Sequence, residues 1–399
     1  MKNESKFHIA GVGCCLVDQL FNNISFTHPN LKKYLSRNKG DGGLKPGELV
    51  FADDFETFAG EHFADLLTKI TNGRQADSIN IGGPAIVALI HAAQMLEDEA
   101  FTISFHGMYG SDEIGDYLYR SLENTPVEIS NIQKSEGTTP STVVLSDPDY
   151  ANGEGERMFI NAIAAAWNMS PQNLRNDFFN SRMVVFGGTA LTPNIHDHLS
   201  ILLRSAKERN IFTVVNTVFD FRNEQLNPFE RWPMGDNDDS YRNIDLLIMD
   251  HLEALRYSGK ENTDEAILFF KNSGVQSIII TNGAKEVCFY ADGVNFKQQY
   301  VDYMPVSSEV STRLKTLNTG DTTGCGDNFV GGIIASVAKQ IKQGEKYIDI
   351  REAVTWGIVS GGFACFYLGG TYMEKFSGEK RQKIERLYNK YEAQVNPKR

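Results

Sequence analysis

Cysteine and positive charge are both scarce in this sequence, and each shortage excludes a class of protein. Five cysteines among 399 residues are too few for a disulfide framework, and without a CxxC pair a zinc ribbon or thioredoxin-like site is disfavoured. Lys and Arg together number 39 against 51 Asp and Glu, which argues against a general binder of nucleic-acid backbones. We therefore expect reduced thiols, a cytoplasmic location and no nucleic-acid partner.

A long apolar run is missing as well. A membrane helix needs about 20 strongly apolar residues, and the most apolar late stretch, 356–370, is interrupted by glycines. The opening letters, MKNESKFHIAGVG, lack the basic and apolar segments of a signal peptide. We expect no membrane contact, and we interpret 356–370 as part of a buried helix.

The sequence does contain an alternation of strand-like and helix-like segments. FHIAGVG near the start predicts a buried strand, and helical periodicity at 263–272 predicts one of the intervening helices. Further short apolar runs predict strands at 183–188, 212–217, 244–250 and 275–283. This pattern predicts an α/β protein with a three-layer α/β/α, Rossmann-like body, in which a parallel sheet is covered on both faces.

One region breaks this alternation. The segments 138–147 and 156–164 are strand-like and are joined by a turn with Gly153 and Gly155 instead of a helix. They predict an antiparallel hairpin, which is a candidate β-sheet lid that the irregular stretch after Asp18 can join. We expect the body in 1–17, 51–134 and 166–399, and the lid in 18–50 and 135–165.

The most specific motif is DTTGCGDNF at 321–329, which precedes a helix with an apolar stripe. A glycine-rich turn that begins a helix leaves backbone N–H groups directed at one point, where the helix dipole adds positive charge. Such an anion hole suits a transferring phosphoryl group. Asp327 lies in the first helical turn and can accept the proton of an attacking hydroxyl, whereas a shorter GxGD would more simply indicate a helix cap.

The string at 318–329 resembles the C-terminal signature of the ribokinase-like (phosphofructokinase-B) carbohydrate kinases, with Cys325 where that family usually has Ala. The resemblance continues, with motifs in the same order, from about residue 7 to 372. It implies a ribokinase-like body with a β-lid, ATP and Mg²⁺ in the reaction, and pairing of two lids in a homodimer as one arrangement. It also implies that the backbone amides of Gly324, Cys325 and Gly326 stabilise the transferring charge.

Other motifs resemble the substrate and nucleotide sites of the same family. Asp18 resembles the acid that grips the substrate, and Gly82 and Gly83 resemble the paired glycines whose backbone approaches it closely. Asp250 and Glu253 resemble the N-x-x-E motif, in which Glu253 acts on Mg²⁺ through water. The remaining implied contacts are Thr281, Gly283 and Thr322 for the nucleotide, and the carbonyls of Asp321 and Thr323 for a monovalent cation such as K⁺.

Arg157 is a candidate of a different kind, because it lies on the predicted lid hairpin. There it can clamp an anionic or hydroxylated substrate, although a surface ion pair with Glu154 or Glu156 explains it equally well. Two departures from the family pattern also matter, the first for the acceptor and the second for metal or water binding. Val87 stands where the family usually has a substrate-binding Asn, and Asp250 stands for the Asn of N-x-x-E.

The expected activity is a phosphotransferase reaction with an alcohol acceptor: transfer of the γ-phosphoryl group of ATP to a hydroxymethyl group of a sugar or related polyol. A nucleoside kinase with an adenosine-like acceptor is the alternative on the same fold, because LKPGELVFADD at 44–54 looks more like that branch. A non-catalytic ligand-binding protein on the same scaffold is the alternative outside the enzymes.

Overall fold

Strands and helices follow one another through most of the chain, as the apolar periodicity predicts. A computed structural model describes residues 6–38, 40–97, 100–153, 155–316 and 322–397. The strands are β1 (Phe7–Gly13), β2 (Leu16–Phe21), β3 (Leu49–Phe51), β4 (Ser78–Gly82), β5 (Phe101–Tyr109), β6 (Ile132–Lys134), β7 (Ser141–Asp147), β8 (Glu156–Ala162), β9 (Met183–Gly187), β10 (Phe212–Asn216), β11 (Leu246–Asp250), β12 (Ser277–Thr281), β13 (Val287–Ala291) and β14 (Gln299–Met304). The helices are α1 (Pro29–Lys32), α2 (Ala52–Ala59), α3 (Phe63–Thr71), α4 (Pro84–Met95), α5 (Glu113–Leu122), α6 (Tyr150–Gly153), α7 (Pro193–His196), α8 (Leu199–Lys207), α9 (Phe221–Leu226), α10 (His251–Ser258), α11 (Thr263–Asn272), α12 (Ser308–Leu314), α13 (Cys325–Lys342), α14 (Ile350–Ala364) and α15 (Glu379–Val395).

The larger sheet contains nine strands within the described ranges, in the order β14-β13-β12-β11-β10-β9-β1-β5-β6. Neighbouring strands from β6 to β12 are parallel, and β13 and β14 add an antiparallel edge. The predicted opening strand is β1, which lies in the middle of this sheet between β5 and β9.

Side chains along each central strand alternate between two cores. In β1, Ile9 packs in the core that contains α4, α13, α14 and α15, while Ala10 and Val12 pack in the core that contains α8, α10 and α11. Helices therefore cover both faces of the sheet, and the predicted three-layer α/β/α fold is confirmed. No helix in the described ranges is both long and apolar enough to cross a bilayer.

A smaller sheet has the strand order β3-β8-β7-β2-β4. Its strands β7 and β8 form the antiparallel hairpin that the sequence predicts, with Ser141 opposite Ala162. Strand β4, Ser78–Gly82, lies in a range that we expected in the body, yet it pairs antiparallel with β2. The smaller sheet therefore includes more of the chain than 18–50 and 135–165.

The two faces of the smaller sheet have different surroundings. One face buries Val143, Leu145, Met158 and Ile160 against the helices α2 and α3. The opposite face carries the alternate residues, and several of them are polar. Because β1 ends at Gly13 and β2 begins three residues later, the chain passes almost directly from the larger sheet into this polar-faced one.

Candidate active site

The start of α13 has the geometry of an anion site. Gly324 is its N-cap with a φ of +74°, in the left-handed region that favours glycine. The intrahelical bonds begin with the N–H of Asn328, which donates to the carbonyl of Gly324 at 2.9 Å. The N–H groups of Gly326 and Asp327 therefore have no intrahelical acceptor, and they lie at the positive end of the helix dipole.

Among the described residues, Gly324 and Gly326 differ in how closely other atoms approach them. A Cβ at Gly326 would meet no heavy atom of the described residues within 4 Å, whereas a Cβ at Gly324 would lie 2.4 Å from the Cα of Gly370. An anion can thus approach Gly326 while Gly324 is held by close backbone packing. The N–H of Cys325 donates to the carbonyl of Thr322 at 3.2 Å, so this amide also shapes the turn.

Asp327 is the carboxylate nearest to these amides in the chain, and it is half-buried. Loss of hydration raises the pKa of its carboxyl from 3.8 to about 6. A carboxylate with a pKa just below neutral is ionised at pH 7 and is a stronger base than an ordinary Asp. The geometry and the electrostatics therefore suit the predicted role of proton acceptor.

Asn328, the next residue, is the centre of a buried hydrogen-bond network. Its Nδ2 donates to the carbonyls of Gly324 and Gly370, both at 2.8 Å. Its Oδ1 accepts from His91 Nδ1 at 2.7 Å, from the hydroxyl of Tyr367 at 3.1 Å and from Lys380 Nζ at 2.9 Å. This side chain therefore fixes the carbonyl of the N-cap residue, which orients the first turn of α13.

Lys380 brings a buried ammonium group to that network from α15. It is 1% exposed, and its Nζ also donates to Gln94 Oε1 at 2.9 Å. Burial lowers the pKa of Lys380 from 10.5 to about 7, and the charge of Glu374 opposes this shift only in part. The network thus links the C-terminal helix to the anion site through one intermediate residue, Asn328.

Arg157 joins the smaller sheet to the same region. It lies on β8, and its Nη1 donates to Thr323 Oγ1, one residue before the N-cap of α13, at 3.3 Å. The structure therefore places the Arg157 side chain beside the turn that leads into the anion site, and not only on the surface of the hairpin. Glu154, one of the two alternative partners considered above, lies outside the described residues.

Four polar side chains form a row across the face of the smaller sheet that carries Arg157. The register pairs Asn80 with Asp18, Asp18 with Thr142, and Thr142 with Asn161. Within the row, Asn161 Nδ2 donates to Thr142 Oγ1 at 3.0 Å. Since alternate residues of a strand share a face, these side chains lie opposite the apolar face packed on α2 and α3. We call these four residues the polar row.

Asp18 lies close against the paired glycines, as their resemblance implies. A Cβ at Gly82 would be 2.3 Å from Asp18 Oδ2, so only glycine leaves room for the carboxylate. Gly83 has a φ of +108°, and a Cβ there would be 2.4 Å from the carbonyl oxygen of Cys14. Gly82 therefore leaves room for the Asp18 carboxylate, and Gly83 allows the chain to turn into α4.

The polar row and the anion site are connected by neighbouring glycines. A Cβ at Gly369 would lie 2.6 Å from Asn80 Nδ2, and the adjacent Gly370 packs directly on Gly324. The hydroxyl of Thr371 donates to the carbonyl of Ile81 at 3.0 Å. The segment 369–371 therefore contacts both β4, the strand that carries Asn80, and Gly324, the N-cap residue of α13.

Asp250 and Glu253 form a capping box at the start of α10. Asp250 Oδ1 accepts from the N–H of Glu253 at 2.7 Å, and Glu253 Oε2 accepts from the N–H of Asp250 at 3.1 Å. Thr217 Oγ1 also donates to Glu253 Oε2, at 2.6 Å. Burial, together with the charge of Asp250, raises the pKa of Glu253 to about 7, and the charge of Asp327 adds to this shift.

Two of the other predicted nucleotide contacts, Thr281 and Gly283, lie at the same ends of the strands. Thr281 pairs with Asp250 at the carboxyl ends of β12 and β11, and Gly283 follows with a φ of +56° and open space around its Cα. Thr322 is exposed and Thr323 half-buried. Asp321 and the preceding 318–320 lie outside the described residues.

Known proteins share both the sequence pattern and the fold. The pfkB family carbohydrate kinase model matches residues 63–375. The chain belongs to this family. Fructokinase-2 of Oryza sativa subsp. japonica is 24% identical over 270 residues, which cover 65% of this chain and 72% of that protein. An adenosine kinase from Sinorhizobium meliloti superimposes with a TM-score of 0.68 at 17% identity, over 96% of this chain and 99% of the other. An E. coli protein assigned as a ribokinase II, crystallised with ATP and Mg²⁺, superimposes with a TM-score of 0.64 at 16% identity, over 97% and 99%.

This pfkB-family chain offers magnesium only part of a site. No three His, Cys, Asp or Glu side chains converge on one point among the residues that the structure describes. Asp250 is exposed, and Glu253 is buried behind its own hydrogen bonds. Such a donor set fits an ion that keeps several waters and binds mainly through substrate phosphates, as Mg²⁺ does.

Three of the four residues in the polar row were not among the site residues predicted from the sequence. Asn80, Thr142 and Asn161 carry no motif of their own, and only strand pairing between distant segments brings them beside Asp18. A weak signal was present around Asn80, since polar residues stand at alternate positions in SIN at 78–80. Val87, at the position of the family's usual Asn, is buried and lies 3.4 Å from where a Cβ of Gly370 would be.

Proposed function

We propose that the protein transfers the γ-phosphoryl group of ATP to a hydroxymethyl group of a sugar or related polyol. The observation that carries the proposal is the start of α13, where Asp327 adjoins amides with no intrahelical acceptor and an opening in front of Gly326. A transferring phosphoryl group needs positive electrostatics and a nearby proton acceptor, and this helix start supplies both.

In the proposed reaction, Asp327 accepts the proton of the acceptor hydroxyl as that oxygen attacks phosphorus. The amides of Gly326 and Asp327 donate to the transferring oxygens, with the Cys325 amide at their side. Thr281, Gly283 and Thr322 border the nucleotide. When bound, Mg²⁺ supplies charge neutralisation between the phosphates, and Asp250 and Glu253 would hold it through water. The carbonyls of Asp321 and Thr323 are proposed to bind K⁺.

The polar row supports a polyhydroxylated acceptor. Asn80, Asp18, Thr142 and Asn161 present amide, carboxylate and hydroxyl groups along one line of paired strands. Neighbouring strands are about 4.8 Å apart, so the row offers polar partners to several hydroxyl groups of one acceptor. Arg157 on the same face reaches the turn before the anion site, which supports the view that the sheet acts as a lid. Closure of a lid excludes water and limits wasteful hydrolysis of ATP.

A nucleoside acceptor is the second candidate, because aromatic rings adjoin one end of the polar row. Phe51 pairs with Asn161 in the register of β3 and β8, and its ring lies 5.7 Å from that of Phe221 in an edge-to-face arrangement. An aromatic wall of this kind can pack against a nucleobase. The polar row favours the sugar part of either acceptor, so only a direct comparison of acceptors separates the two candidates.

The test is ADP release with Mg-ATP against fructose, ribose, other polyols, adenosine and inosine, each with and without K⁺. Turnover with sugars or polyols and little with nucleosides supports the first proposal, and the reverse pattern supports the second. Tight binding of a sugar or nucleotide without phosphoryl transfer to any acceptor would favour a non-catalytic ligand-binding protein. Solution scattering tests the proposed homodimer through the lid, which a monomeric mass would contradict.

A further inference from the structure

Two cysteines meet beside the anion site. Cys325 is the first residue of α13, and Cys365 follows the last residue of α14. Their Sγ atoms are 3.1 Å apart, and both residues are partly exposed. All five cysteines of the chain are present as thiols, so these two sulfurs are in contact without being bonded.

The contact follows from the backbones of the two helices. A Cβ at Gly361 would lie 2.9 Å from the carbonyl oxygen of Cys325, and a Cβ at Gly332 would lie 2.6 Å from the carbonyl oxygen of Trp356. Glycines on α13 and α14 thus let the helix backbones approach closely along their length. The sulfur contact is therefore set by helix packing and not by the chance rotamer of a flexible surface side chain.

The other three thiols are in a different environment. Cys14, Cys15 and Cys288 are buried. Burial raises the pKa of Cys15 to about 12 and that of Cys288 to about 11, and it raises the pKa of Cys14 as well. Because the thiolate is the reactive form, these residues are poor nucleophiles. By contrast, Cys325 lies at a helix N-terminus, where an anion is stabilised.

We propose that Cys325 and Cys365 are a site of covalent modification, at which a peroxide oxidises the thiol pair to an intramolecular disulfide. The Cys325 thiolate attacks one oxygen of hydrogen peroxide, the O–O bond breaks, and hydroxide leaves to give a sulfenic acid. The Cys365 sulfur then attacks the sulfenic sulfur, the S–S bond forms, and the S–O bond breaks with loss of water. Overall, two thiols and one peroxide give one disulfide and two waters. A dithiol reductant reverses the modification.

The disulfide would disturb the proposed phosphoryl site. A disulfide bond is about 2.05 Å long, so the two sulfurs must approach by about 1 Å. Cys325 lies next to both Gly324 and Gly326, and a displacement of about 1 Å in a reaction centre can cost about 100-fold in rate. We expect kcat to fall by about 10- to 100-fold. This loss rests on the proposed kinase activity, whereas formation of the disulfide does not.

The experiment treats the full-length protein with hydrogen peroxide, alkylates the remaining thiols and maps the peptides by mass spectrometry. The expected result is a Cys325–Cys365 cross-linked peptide, with loss of two hydrogens, that disappears after treatment with a dithiol. Kinase activity is followed in parallel with an acceptor from the panel above. If no acceptor is phosphorylated, the mass measurement still decides whether the disulfide forms, so the two proposals can fail separately.

Matched variants identify which thiols form the cross-link and cause the reversible inhibition. Cys365→Ser should retain the starting activity, form no cross-link and resist reversible inhibition by peroxide, while Cys288→Ser should match wild type in cross-linking and in inhibition by peroxide. Cys365→Ala is a second variant in case the serine disturbs folding, which thermal unfolding will show. The proposal is overturned if wild type gains only sulfinic or sulfonic acid without a cross-link. Equal and reversible inhibition of Cys365→Ser would also overturn it.

Discussion

The larger and the smaller sheet contribute to the candidate site in different ways. The central strands of the larger sheet are buried on both faces, and the helices that cover this sheet supply the site mainly with backbone groups around Gly324 and Gly326. The smaller sheet has one polar face, and it supplies side chains, from Asp18 to Arg157. Backbone groups can serve any acceptor that presents a hydroxyl, whereas side chains distinguish one acceptor from another. In the proposed reaction, phosphoryl transfer therefore depends mainly on one short motif, whereas recognition of the acceptor is distributed over four strands.

The largest effect should come from the carboxylate on α13. Asp327→Asn keeps the size of the side chain and removes the base, so kcat should fall by about 10²- to 10⁴-fold while ATP still binds. In the wild type, kcat should decline below about pH 6, where Asp327 becomes protonated. Steady-state kinetics with an active acceptor, together with a separate measurement of ATP binding, check both statements. Near-normal turnover of Asp327→Asn would show that another group takes the proton.

The next largest effect should come from the polar row. Asp18→Ala should raise the KM for the acceptor by about 10- to 100-fold and leave the KM for ATP unchanged. Gly82→Ala should act in the same direction, because its Cβ would displace the Asp18 carboxylate. The matched control is Ile79→Thr, an exposed residue of the same strand that points away from the row. An equal rise in the KM for ATP would contradict the division of roles between the two sheets.

A smaller effect is expected at Lys380, which supports the anion site indirectly through its hydrogen bond to Asn328. Lys380→Met removes one donor to Asn328 and should lower kcat by about 2- to 10-fold. The native pKa of about 7 lies below the usual 10.5, so the unfolded chain binds the extra proton between these values. The free energy of unfolding of the wild type should therefore rise with pH from about 7 to 10.5.

The Lys380→Met variant tests whether Lys380 causes this pH dependence. Its free energy of unfolding should lack the rise that Lys380 contributes between about pH 7 and 10.5. Denaturant unfolding of both proteins at several pH values provides the measurement. If the free energy of unfolding depended on pH in the same way in both proteins, Lys380 would be charged at neutral pH in the native state.

The smallest effect should separate the two faces of a single strand. Thr142→Val removes the hydroxyl that accepts from Asn161 and should lower kcat/KM for the acceptor by about 2- to 10-fold. Val143→Thr, on the apolar face of β7, should instead lower the free energy of unfolding and leave KM unchanged. Acceptor kinetics and chemical unfolding of the two variants test this contrast. If both variants showed the same changes in acceptor kinetics and in the free energy of unfolding, the two faces of β7 would not have separate roles.

The fold was largely predictable because its signals are local. The strand Phe7–Gly13 and the helix Thr263–Asn272 coincide with the predicted segments, and the hairpin of β7 and β8 follows from two alternating runs around a glycine turn. The inclusion of β4 in the smaller sheet was not predictable. It depends on pairing between Asp18 and Asn80, a contact across the intervening 61 residues that leaves no trace in local periodicity.

Some residues of the candidate site could be predicted from the sequence, and others could not. Gly324 and Asp327 both lie within the motif DTTGCGDNF, so the sequence alone indicated them as candidates, although the close packing of Gly324 on Gly370 was not visible there. Asn328 carries no signal, although it lies in the same motif, because its partners His91 and Lys380 come from distant helices. Glu253 was expected near magnesium, but its hydrogen bonds to Asp250 and Thr217 depend on a capping box whose burial the sequence does not reveal.

The contact between Lys380 and Asn328 also bears on how the protein is made. Asp18, which is proposed to bind the acceptor, is synthesised more than 360 residues before the ammonium group of Lys380 that completes the network around α13. A nascent chain can form the polar row long before translation reaches α15. A product that ends before α15 would lack both this ammonium group and the apolar residues Ile384, Leu387 and Tyr391 that the helix packs into the core, so the first turn of α13 would lose its support.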